Sequence, residues 1–235
     1  MMKKESFFSK IFNKEVKYYL LGLDKKIDHA YILYVQDGKD YVELGSLEKT
    51  YQKLLQMYPK ITSRLIMVMI HPGDSVERWH TYHHKGKYFE KYVQFMNEEF
   101  IHFVEEKFSV PIVKRGLLGD SLGGNISLNI ACKNPNQWTH LLLQSAAVSP
   151  KDIDMVEMIT VKIPWKIYQT VGIYEDSFVS TITNEKLFIL TRNRLLNQTL
   201  LNKGALVQYV EQNEKHEWVF WKRDLLNALT FFVFN

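Results

Sequence analysis

Around residue 121 the chain reads RGLLGDSLGGNISLNIACKNP, a serine with Gly119 and Gly123 two residues to either side. A short apolar run precedes it and a segment of helical period follows, so this GxSxG pattern falls where a strand turns sharply into a helix. Such a turn strains the serine backbone and crowds its neighbours, which is why the flanking positions must be glycine. Gly124 extends the permissive stretch. Ser121 is thereby expected at a helix N-terminus, where free N–H groups and the helix dipole stabilise a developing oxyanion. The Leu122 N–H is one expected donor. The other reading of the same residues is a glycine-rich structural turn.

A serine hydroxyl is a weak nucleophile at neutral pH and needs a base within hydrogen-bond reach and an acid to orient that base. The expected chain order is serine, acid, histidine. Only His216 lies beyond the expected acid, in QNEKHEWVFWKRDL, between the last expected strand and the last expected helix. The acid is expected in GIYEDSF, where Glu175 and Asp176 stand side by side. The turn opening at Gly172 favours Glu175, with Asp176 as the alternative and one of the two serving only as a solvated or capping group. A second oxyanion donor is expected in QDGKD, from the Lys39 N–H, with Gly38 permitting the tight turn and Asp37 and Asp40 forming it.

The stretch RWHTYHH brings His80, His83 and His84 together in sequence. No carboxylate or cysteine spacing completes a metal site there, and serine chemistry requires neither metal nor cofactor, so none is expected. Arg78 in the same stretch is the candidate for holding an anionic or carbonyl-rich substrate, and with Gly38 it makes up the expected substrate-binding set. A surface ion pair is the alternative for Arg78.

These residues need a scaffold. Short apolar, β-branched or aromatic runs alternate with segments of helical period, the pattern of a mostly parallel sheet covered on both faces. Strands are expected at Val16–Leu23, Ala30–Val35, Leu65–Ile70, Gly116–Leu118, Leu141–Gln144, Lys166–Val171 and Ala205–Val210, the first pairing antiparallel at an edge. Leu47, Tyr51, Leu54, Leu55 and Tyr58 share one helical face behind Ser46, an expected N-cap. A stronger stripe runs from Phe89 to Val104. A third helix follows Ser121 and stops near Asn134-Pro135, a fourth ends at Gly204, and a last carries Trp218 to Phe232. The stretches 149–164 and 175–184 lack clear period and are expected to form a small lid over the carboxyl ends of the strands.

With 235 residues, 46% of them hydrophobic and 24% charged, the chain suits a single α/β domain spanning 1–235 with a filled core. Its 30 basic and 26 acidic residues are scattered, which excludes a nucleic-acid stripe. One cysteine, Cys132, excludes an internal disulfide and fits a reducing, cytoplasmic setting. No apolar run reaches the length of a signal peptide or membrane span, so stable membrane insertion is not expected. Phe7, Phe8, Ile11 and Phe12 are expected to pack onto the domain, a short membrane-touching turn being the alternative.

From about Ala30 to the C-terminus the chain resembles the family of esterases that includes enterochelin esterase, and more distantly esterase D and the mycolyltransferases. The likeness rests on ILYVQDGKDYVELGSL, IMVMIHPGDSVERW, the GDSLGG elbow, VGIYED and HEWVFWKRDLLNAL. It implies an α/β-hydrolase fold, Ser121 as nucleophile, His216 as base, the acid at Glu175 or Asp176, and Arg78 near the acyl or catechol site. The chain departs from the family in having Glu214 and Lys215 before the histidine, where glycines are usual. The expected activity is cleavage of a small-molecule carboxylic ester, siderophore-type or simple acyl, through an acyl-enzyme. Acyl transfer, or a catalytically silent binding protein of the same fold, are the alternatives.

Overall fold

The computed structural model describes residues 2–22 and 27–235. Eight strands form one sheet: β1 (Lys3–Ser9), β2 (Lys14–Leu21), β3 (Ala30–Val35), β4 (Leu65–Ile70), β5 (Ile112–Asp120), β6 (His140–Gln144), β7 (Lys166–Gly172) and β8 (Leu206–Gln212). Their order is β1-β2-β4-β3-β5-β6-β7-β8. From β4 to β8 every pairing is parallel. AYILYV and LIMVMI are buried at every position, as central strands covered on both faces must be.

The expected edge strand is β2. It pairs antiparallel with both β1 and β4, so it stands second from the edge, and Leu23 at its expected end lies outside the described residues. β1 takes the edge instead. In KKESFFS the alternation is masked by charged residues, yet Phe7 packs against Phe103 with ring centroids 4.4 Å apart while Phe8 is 59% exposed. Lys3, Lys4 and Glu5 on this strand discourage pairing with another chain.

On one face of the sheet lie α1 (Gly38–Glu43), α2 (Leu47–Met57), the short α3 (Pro59–Thr62) and, later in the chain, a long C-terminal helix over Trp218–Phe234. Tyr41, Leu47, Tyr51 and Leu54 pack there with Leu225, Leu229 and Phe232. Ser46 stands at the N-cap of α2, but its left-handed backbone (φ 53°) leaves its hydroxyl capping nothing. The other face carries α4 (Ser75–Tyr82), α5 (Phe89–Phe95), α6 (Ile101–Glu105), α7 (Ser121–Lys133), α8 (Pro150–Glu157) and α9 (Ile189–Asn202), which makes the C-terminal helix α10. α7 stops before Asn134-Pro135, and Gly204 after α9 takes a left-handed φ of 86°.

The aromatic stripe from Phe89 to Val104 is one helix interrupted by a π turn at Met96–Phe100. Within that turn the Glu99 carboxylate accepts the Ser9 hydroxyl at 2.5 Å and the Lys10 and Ile11 N–H groups at 3.0 and 3.3 Å. One side chain thus clasps the turn between β1 and β2. Glu99→Ala should cost about 1–3 kcal/mol in denaturant unfolding, since charge-assisted bonds are lost at a partly buried turn. Hydrogen exchange at Lys10 and Ile11 should accelerate in the same variant; unchanged exchange would show that the turn holds without the clasp.

Candidate active site

The parallel strands end on one side of the sheet, and the residues singled out in sequence emerge there. β5 runs directly into α7, and at the junction Ser121 adopts a left-handed φ of 47°. A Cβ on Gly119 would lie 2.2 Å from the Gly123 carbonyl, so glycine is obligatory at that crossing. His216 Nε2 lies 2.8 Å from Ser121 Oγ, and His216 Nδ1 lies 3.2 Å from Glu175 Oε2. Because the carboxylate oxygen accepts, Nδ1 carries the proton and Nε2 is left to accept from the serine hydroxyl. Such an arrangement can draw the proton from Ser121 as its oxygen attacks a carbonyl carbon.

Glu175 is fully buried and its second oxygen is also held, accepting from the Ser145 hydroxyl at 2.7 Å and the Gly172 N–H at 3.1 Å. Ser145, after β6, is itself left-handed (φ 51°) and accepts the Trp221 indole N–H at 2.9 Å. The Trp221 ring stands edge-on to His216 at 4.9 Å, and Phe178 packs on the imidazole at 4.2 Å. Asp176 turns elsewhere. It accepts the Thr191 N–H and hydroxyl at 2.9 and 2.6 Å, near the start of α9. The structure therefore brings Ser121, His216 and Glu175 together and leaves Asp176 hydrogen-bonded to Thr191 of α9.

The turn after β3 places Asp37 in left-handed conformation (φ 56°) as the residue preceding α1. Gly38 crosses so close to β4 that an added Cβ would sit 2.3 Å from the Met69 backbone. Gly38 thus shapes the turn by its backbone. Lys39 and Leu122 are the second residues of α1 and α7, where N–H groups have no acceptor within the helix. Arg78 forms an ion pair, the alternative reading of this residue, but with a fully buried partner rather than at the open surface. Its Nε and Nη2 donate to the two Asp37 oxygens at 2.7 and 2.5 Å, and Nη2 lies 3.9 Å from Asp120. A guanidinium facing a fully buried carboxylate across from β3 is committed to it. Burial works against the Arg78 charge, but Asp37 outweighs it and raises the pKa above the ordinary arginine value. Burial, and next the neighbouring Asp37, hold the Asp120 carboxyl well above the usual carboxylate range.

A cavity of about 330 Å³ opens over Ser121 and Leu122. Both aperiodic stretches line it, through Ser149, Lys151 and residues 180–183. His83 stacks between Trp79 (4.8 Å) and His84 (4.4 Å) along one wall. Burial, then His84, push the His83 pKa down to about 4, and burial lowers His84, so both rings are neutral at pH 7. Among the described residues no His, Cys, Asp and Glu side chains gather as a metal-ligand set. Sequence reasoning missed Ser145, Trp221 and the cavity-lining Arg192. The single available signal was a serine directly after the strand HLLLQ, which no motif distinguishes.

A family model described as "Putative esterase" matches residues 13–232. The chain is 28% identical over 232 residues to the "Uncharacterized protein YjcH" of Bacillus subtilis (strain 168), covering 97% of this chain and 95% of the relative. Among solved structures it is similar to BES protein from Bacillus cereus, with TM-score 0.77 and 18% identity over 98% of this chain and 94% of that one. Enterochelin esterase from Shigella flexneri gives TM-score 0.75 and 14% identity, over 98% of this chain and 57% of the other. What is shared at such identities is the fold, that of the α/β-hydrolases.

The Arg78–Asp37 pair makes a stability prediction. Arg78→Ala should destabilise by about 2–4 kcal/mol, somewhat below a fully enclosed pair because Arg78 keeps some solvent contact. Arg78→Ala combined with Asp37→Ala should lose clearly less than the sum of the single losses in denaturant unfolding. Additive losses would show that the two side chains do not depend on one another.

Proposed function

Since the chain belongs to the Putative esterase family, we propose that it is a carboxylic ester hydrolase that works through a serine nucleophile and an acyl-enzyme. The hydrogen-bonded series Ser121, His216, Glu175 is the observation that carries this reading. Ser121 Oγ attacks the ester carbonyl carbon while its proton passes to His216 Nε2. The C=O electron pair collects on oxygen, facing the Leu122 and Lys39 N–H groups. As the carbonyl re-forms, the C–O bond to the alcohol breaks and His216 returns the proton to the departing oxygen. Water then attacks the acyl carbon as His216 takes its proton, the bond from that carbon to Ser121 Oγ breaks, and His216 returns the proton to Oγ, releasing the carboxylic acid and restoring Ser121. Glu175 keeps Nδ1 protonated and stabilises the imidazolium at each stage.

The reading takes the chain as one catalytic domain acting on a small-molecule ester, siderophore-type or simple acyl. The small cavity over Ser121 supports such a substrate, and the family match together with the likeness to enterochelin esterase supports the bond cleaved. Cys132 is a free thiol, which supports a reducing, cytoplasmic setting. Among the described residues no helix is long and apolar enough to cross a membrane.

Ser121→Ala should lower kcat for p-nitrophenyl esters by on the order of 10⁴-fold, and His216→Ala by a comparable factor, because nucleophile and base act as a unit. A fluorophosphonate should label the wild type at Ser121 and not the Ser121→Ala variant. Glu175→Gln should depress kcat more than Asp176→Asn, whose carboxylate is occupied at Thr191. A well-folded Ser121→Ala protein that keeps most of its turnover would refute the mechanism.

A further inference from the structure

Six arginines occur in the chain, and five hold a carboxylate: Arg64 with Asp28, Arg78 with Asp37, Arg115 with Glu105, Arg194 with Glu211 and Arg223 with Glu214. The sixth, Arg192, lines the cavity over Ser121. It is half-buried and, among the described residues, its side chain has no acidic partner and one hydrogen bond, a long one of 3.4 Å from Nη1 to the Val148 carbonyl. That carbonyl belongs to the residue after Ala147, whose N–H donates to the Ser121 carbonyl at 2.8 Å. The guanidinium is therefore tethered to the same short segment that braces the nucleophile.

The rest of the wall has the same sign. Among the described residues Lys151 lines the cavity without a carboxylate partner, and Lys85 stands 4.0 Å from Glu185, the one acidic residue they contribute to the lining. His83 and His84 add no charge at neutral pH. Trp79, Phe178 and Leu187 supply apolar surface, which lets a fixed cation act at greater strength than it would in open water. A guanidinium left unpaired in such a place is the planar, always-charged donor suited to a carboxylate brought in from outside.

Resting on the hydrolase reading above, we propose that this cavity selects esters carrying an ionised carboxylate in addition to the scissile group, and that Arg192 is the residue that grips it. The carboxylate sits in the acyl part or in the alcohol part, and two matched substrate pairs distinguish them. Monoethyl adipate against ethyl hexanoate probes the acyl side, and 4-carboxyphenyl acetate against phenyl acetate probes the alcohol side, all followed by pH-stat titration.

In the wild type the anionic member of at least one pair should have the higher kcat/KM. Arg192→Ala should lower the anionic-to-neutral ratio of that pair roughly 10- to 150-fold, carried mainly by KM. Arg192→Lys should fall between, because an ammonium keeps the charge but not the forked geometry. A residue that merely supported the fold would depress both members alike and leave the ratio in place. Hydrolysis of both pairs with no preference for either anion, or a ratio that survives Arg192→Ala, overturns the proposal while leaving the hydrolase reading standing. No hydrolysis of any of the four esters together with no fluorophosphonate labelling of Ser121 overturns both.

Discussion

The left-handed backbone of Ser121 is the constraint to which the surrounding structure answers. A non-glycine residue in that region costs about 1–2 kcal/mol, and here Asp37 and Ser145 share it at the ends of the two strands flanking β5. Each of the three is braced by a neighbouring contact. Gly119 lets α7 cross β5 at close range, Arg78 clamps Asp37 from α4, and Glu175 with Trp221 fixes the Ser145 hydroxyl. Parallel strands matter because they deliver all these turns to one side of the sheet. With an antiparallel order, alternate turns would emerge at opposite ends and the same residues would never meet.

Two of the buried carboxylates, Glu175 and Asp37, flank the site and are satisfied differently. Glu175 is held by neutral donors and by the imidazole, an arrangement that leaves it free to respond when His216 gains a proton. Asp37 is matched by a full opposite charge and forms a static brace. Asp120 lies within reach of the same guanidinium, and among the described residues its Oδ1 finds no hydrogen-bond partner, which agrees with a carboxyl held above its normal range. Asp37 precedes Gly38 and Asp120 precedes Ser121. Arg78 therefore ties the turn after β3 to the elbow after β5.

Ser121 was readable because a steric requirement writes itself into adjacent glycines, and His216 because chain order leaves a single histidine in place. The central strands were readable for a related reason, since burial on both faces tolerates nothing but apolar residues. Glu175 and Asp176 could not be separated with certainty, because one step along a tight 3₁₀ turn sends one carboxylate to His216 and the other to Thr191. An ion pair was one of two readings open for Arg78, and its partner could not be named because Asp37 lies 41 residues away and nothing local announces a pair of that span. β1 escaped notice because Lys3, Lys4 and Glu5 obscure its alternation, and the charges are themselves the means by which an edge strand stays single.

The π turn at Met96–Phe100 has a different kind of consequence, one of phase. A π turn accommodates one residue more than the α-helix around it while both flanking segments keep their orientation, so the five positions contain a surplus of one. Deleting a residue within this stretch would close it into ordinary α-helix and leave Phe89, Tyr92, Ile101 and Val104 all facing the sheet. The same deletion elsewhere in the helix would rotate everything beyond it by about 100° and take half the aromatic stripe out of the core. The segment is thus a seam in an otherwise rigid rod, and Glu99, which fastens the first hairpin to the body of the protein, is stitched at that seam.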